Sequence, residues 1–191
     1  MVAEVSTRHK NLGRFMRRKM SDTSPLVTVR RMLVCVCLIV GCALPAVARD
    51  IGPVTNLPLP RYVSLKAAEG NVRRGPSLSH RIDWVFTRRD MPLRITAEHG
   101  HWRRVEDRDG LGGWVHYSLL SGNRTVLVEQ DMLTIRVRPE ADAPVTAALE
   151  AGVVARLGKC GPEWCRVTSA GYKGWAPKAR LWGVAIDELR D

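Results

Sequence analysis

Among the residues of this 191-residue chain able to do chemistry, the cysteines, histidines and tryptophans stand out. Cys160 and Cys165 flank Gly161-Pro162-Glu163-Trp164. Such a pair can be a staple, a redox couple or part of a metal site. A catalytic dithiol takes Cys-x-x-Cys at a helix start, which is absent here. A structural zinc takes four ligands, and only these two thiols lie beyond the leader described below. A Cys160–Cys165 disulfide is expected, with a thiol redox protein as the enzyme-class alternative. Glu98-His99-Gly100-His101 has the look of a metal fragment but too few ligands, so no metal and no cofactor are expected. There is no Gly-x-Ser-x-Gly and no phosphate-cradling loop. No hydrolase segment follows the last strands read below, and an enzyme is not expected.

The tryptophans are candidates for binding rather than catalysis, although at repeat-matched positions a place in the core is the default. Trp84, Trp102, Trp114, Trp164, Trp175 and Trp182 can all serve a core. Alternation places Trp102 on the face opposite Val105, and Trp164 opposite Val167. If the valines point inward, these tryptophans face a surface or groove, where exposed rings mark binding sites. Arg104 shares that face and suits a carboxylate. The candidate ligand-binding residues are Trp102, Arg104, Trp114, Tyr117 and Trp164.

These residues belong to a two-fold internal repeat. Gly113-Trp114-Val115 returns as Gly174-Trp175-Ala176, and Trp102-Arg103-Arg104-Val105 as Trp164-Cys165-Arg166-Val167. Asn71-Val72-Arg73-Arg74-Gly75-Pro76 matches Thr134 to Pro139. The offset falls from 63 to 62 to 61, one residue per loop. On this alignment Cys160 and Cys165 replace Glu98 and Arg103, so one hairpin closes covalently and the other by an ion pair. Each copy alternates short extended runs with turn signals such as Asp109-Gly110, the pattern of a small all-β barrel. A single helical turn is expected at 117–120.

The N-terminal region reads as a targeting segment. Arg30-Arg31 precedes an apolar run from Met32 to Val40, followed by Ala46-Val47-Ala48, which predicts cleavage after Ala48. The run is too short to span a bilayer comfortably. Ile39-Val40-Gly41-Cys42 offers a rival, a lipobox with Cys42 as the lipidated residue. The expected location is periplasmic or exported, with a membrane-anchored lipoprotein as alternative. Residues 1–48 hold eight of the 30 Lys/Arg and two of the 19 Asp/Glu, which leaves 22 against 17, or +5, from the formal +11. Nucleic acid is therefore not an expected partner.

The Asn-Val-Arg-x-Gly-Pro run, the Trp hairpin and Gly-Trp-Val resemble the bacterial SH3-type (SH3b) domain. The resemblance implies SH3-like barrels over 63–122 and 123–184, which the basic segment and signal over 1–48, a Pro-rich linker over 49–62 and a tail over 185–191 flank. It also implies a non-catalytic module of the cell envelope that recognises peptidoglycan, or else an adaptor for a periplasmic or membrane protein. Eukaryotic SH3 domains carry a Pro and a Tyr after their Gly-aromatic pair. That tyrosine position holds Leu119 here and Arg180 in the second copy, so a groove for proline-rich peptides is not expected. The linker is expected either to act as a spacer or to pack on the first barrel.

Overall fold

The computed structural model describes residues 50–191; the expected signal segment, with Ala48 and Cys42, lies outside the described residues. The described chain is all-β. β1 (Asp50–Ile51) pairs with β2 (Pro58–Leu59). The first repeat then runs β3 (Arg61–Leu65), β4 (Gly70–Arg73), β5 (Ile82–Phe86), β6 (Pro92–His99), β7 (Trp102–Glu106), β8 (Gly112–His116) and β9 (Leu120–Ser121). A 3-10 turn at Tyr117–Leu119 joins the last two. The second repeat runs β10 (Thr125–Val128), β11 (Leu133–Arg136), β12 (Val145–Leu149), β13 (Val154–Cys160), β14 (Trp164–Ser169), β15 (Tyr172–Pro177) and β16 (Leu181–Trp182), with a 3-10 turn at Lys178–Arg180.

The two sheets have one topology. Their orders are β5-β4-β8-β7-β6-β3-β9 and β12-β11-β15-β14-β13-β10-β16, which correspond strand for strand. Each ladder is open at its outer strands, so the units are curled SH3-like sheets rather than closed cylinders. The curling follows from the cores. Leu65, Val72, Phe86, Leu93, Ile95, Val105 and Val115 come from six strands yet form one cluster. Val126, Ile135, Leu149, Leu157, Val167 and Ala176 do the same in the second sheet. Each such side chain stabilises by roughly 1.5–3 kcal/mol when buried, enough to bend a sheet around it. Bulges fall at matching places, Val72/Arg73 and Ile135/Arg136, where the strand must turn.

The Gly-Trp anchors have a steric reason. A Cβ on Gly113 would stand 2.7 Å from the Arg73 carbonyl, and one on Gly174 would stand 3.0 Å from the Arg136 carbonyl. Only glycine lets β4 approach β8 this closely, and at β11 against β15 any side chain would force the Arg136 backbone to give way.

The linker packs on the first repeat. Its Leu59 joins the first core at 9% exposure. At the other end of the chain Val184 joins the second core. The repeats touch as well: Thr125 Oγ1 donates to the Asp90 carbonyl at 2.7 Å, Ser64 Oγ to the Asn123 carbonyl at 2.8 Å, and Tyr62 meets Trp182 edge-on at 5.4 Å.

Candidate functional site

The hairpins β6–β7 and β13–β14 set the geometry. Their inward residues are Glu98 and Arg103 in one and Cys160 and Cys165 in the other, opposed in register in both cases. The thiols form a disulfide, with Cα atoms 4.1 Å apart. The ion pair holds Arg103 Nε and Glu98 Oε1 at 3.5 Å, both side chains buried.

Glu98 does more than face Arg103. It accepts from the Val54 and Thr55 amides at 3.0 and 2.9 Å, the Thr55 hydroxyl at 2.7 Å and Arg61 at 2.5 Å. A Cβ on Gly52 would stand 2.5 Å from Oε2, so the chain can pass here only as glycine. Burial pushes the carboxyl up, but the bonds from Thr55, Arg61 and Val54 outweigh it and hold the group at about 2. In the second repeat the tail takes the matching place. Lys178, 2% exposed, donates to the Ile186 and Glu188 carbonyls at 3.1 and 2.7 Å, and Arg190 bridges to Cys160.

The outer face carries the predicted residues. Register places Arg73, Trp114 and Arg104 in one row across β4, β8 and β7, and His116, Trp102 and His99 in the next row across β8, β7 and β6. Thus Trp102, Arg104 and Trp114 share one face, with Tyr117 at its edge. The second repeat repeats the first row as Arg136, Trp175 and Arg166. In the second row Pro177, not a histidine, stands opposite Trp164.

That exchange corrects one expectation. Val105 and Val167 are fully buried, so both tryptophans do point outward. Trp102 is nevertheless only 9% exposed, because the His116 ring stands edge-on to it at 5.5 Å. The candidate Trp102 is therefore not an open aromatic surface. Trp114 and Trp164 are half-buried, Arg104 is exposed, and Tyr117 is 49% exposed. Trp164 lies apart from the other four, in its own repeat.

Around Trp164 the second face is concave. A groove of about 360 Å³ runs between Trp164, Pro177, Met132, Thr134, Arg136 and Arg180. Arg136 donates to the Ala143 carbonyl at 2.6 Å, which pins the wall of the groove, just as Arg73 bonds the Leu78 and His80 carbonyls in the first repeat. Arg180 and Met132 are exposed at its rim. The sequence did not mark Pro177, Met132 or Arg180 as site residues; comparing Pro177 with His116 across the repeat is the signal that finds the first of them. No group of three or more metal-ligating side chains occurs among the described residues.

The bacterial SH3 domain family model matches residues 66–122 and 129–183. No curated protein matches the chain. Among solved structures, NlpC2 from Trichomonas vaginalis is similar at 13% identity and a TM-score of 0.31, covering 64% of this chain and 47% of its own. An NlpC/P60 family protein from Bacillus cereus is similar at 12% identity and a TM-score of 0.29, covering 63% of this chain and 55% of its own. The matched part is thus about half the length of those structures.

Proposed function

The chain belongs to the bacterial SH3 domain family, and from that premise we propose that it is a non-catalytic binding module of the cell envelope whose second repeat grips peptidoglycan. The observation that carries this reading is the groove at Trp164. Its size falls in the range of ligand sites, about 300–1,000 Å³. It offers an indole, an apolar wall at Pro177 and Met132, and the exposed guanidinium of Arg180, which makes no ion pair among the described residues. An indole packs on the uncharged parts of a stem peptide, and Arg180 suits one of its carboxylates. Export through the leader, with cleavage after Ala48, belongs to the same reading.

The test is co-sedimentation of the purified protein with peptidoglycan sacculi, beside Trp164→Ala. Binding that survives moderate salt and weakens about tenfold or more in the variant supports the groove. Binding abolished by salt alone would reduce the interaction to non-specific charge. No sedimentation at all would overturn the reading and favour a protein partner in the envelope.

A further inference from the structure

We infer that the outer corner of the first repeat is a second, separate binding site, for a saccharide carrying a carboxylate. The corner is built from rings. His101, His116 and Tyr117 lie with centroids 4.9 to 5.9 Å apart and planes tilted by 33 to 45°. His101 and Tyr117 are exposed, half-buried His116 stands edge-on to the buried Trp102, and exposed His99 stands edge-on to half-buried Trp114. His116 Nδ1 lies 2.7 Å from Ser118 Oγ, which fixes its ring.

The second repeat serves as an internal control. The positions of His101, His116 and Tyr117 are held there by Glu163, Pro177 and Lys178. None of these three is aromatic, and Lys178 is buried beneath the chain's own tail. The first repeat keeps its corner open and lines it with rings, although Tyr117 and its neighbours are not needed for the core.

Shape and charge select the ligand. The shallow tilt of the rings offers broad faces and no slot, which suits the flat C–H face of a pyranose rather than a ridged peptide. Imidazole edges supply donors and acceptors for hydroxyl and acetamido groups. Exposed Arg104 stands on the outer face with no ion pair among the described residues, while the inward Arg103, already paired with Glu98, lies 6.0 Å from the Tyr117 ring centroid. The nearby carboxylates are already engaged: Glu98 by Arg61 and Arg103, Glu106 by Arg94 at 2.9 Å. The net field at the corner is therefore cationic, complementary to an acidic sugar. The choice of a sugar acid rests on the cell-wall reading; the site rests on its own residues.

The experiment is an NMR titration of the purified protein with N-acetylmuramic acid and with neutral chitotriose, following the imidazole and Tyr117 ring signals. Saturable shifts of His101, His116 and Tyr117, tighter for the acid sugar, support the site. Tyr117→Ala and His101→Ala, both exposed and safe for folding, are each expected to weaken binding by about tenfold. Saturable shifts that persist unchanged in both variants overturn it. Absence of ring shifts overturns it too, and the sacculus assay then separates the two claims. If the protein still sediments, the groove reading stands alone; if it does not, both fall.

Discussion

The two repeats share a fold but seal the same hairpin end with opposite chemistry. In the first, a buried carboxylate, Glu98, gathers amide and hydroxyl hydrogens from the N-terminal linker. In the second, a buried ammonium, Lys178, gathers carbonyls from the C-terminal tail. Each arriving segment also adds one apolar residue to its core, Leu59 or Val184. The difference follows from which terminus arrives and which backbone groups it presents. The lesson is that a duplicated unit need not keep its seal, only satisfy the backbone groups that come to it.

The strongest way to break the comparison is Glu98→Ala. Removing one partner from a buried, hydrogen-bonded pair costs about 3–5 kcal/mol. The bonds that hold the carboxyl at about 2, below its ordinary 4.5, are worth about 3 kcal/mol by linkage. Because the folded value is depressed, this stability is present above 4.5 and is lost as pH falls through about 2. Urea unfolding measured from neutral pH down to that value is expected to show the loss in the parent and a flatter profile in the variant. Equal profiles would mean that Glu98 is not the latch. Next in size is the covalent counterpart. Replacing Cys160 and Cys165 by serine opens a short loop, an expected cost of about 2 kcal/mol in urea unfolding. A loss no greater than a few tenths of a kcal/mol would show that the tail bridge at Arg190, not the disulfide, closes the second hairpin.

Much of this was legible in the sequence. The repeat offset aligned Glu98 and Arg103 with the two cysteines, and both pairs face each other in register. The Gly-Trp anchors located the crossing strands. The seals were not legible, since Glu98 bonds backbone amides of Val54 and Thr55, groups that every residue carries. Lys178 reads as a solvated surface residue until carbonyls from eight and ten residues onward close over it. Alternation gave the direction of Trp102 correctly. Its burial depends on a cross-strand neighbour, which alternation along one strand does not reveal.

That neighbour supplies the smallest and most selective change. His116 and Pro177 hold the same position in the two repeats, each opposite its tryptophan. Pro177→His puts an imidazole beside Trp164, where His116 covers Trp102. The site is half-buried on the outer face, so stability is expected to change by no more than about 0.5 kcal/mol. The new ring can accept from the amide of Ala179, as His116 accepts from Ser118, so its orientation has a local cause. The groove is then expected to close, quenching the solvent access of Trp164 and weakening sacculus binding while the fold persists. Acrylamide quenching of tryptophan fluorescence reads the closure, and sedimentation reads the binding. Closure without loss of binding would move the ligand off the groove; loss of binding with Trp164 still accessible would show that Pro177 itself is the contact.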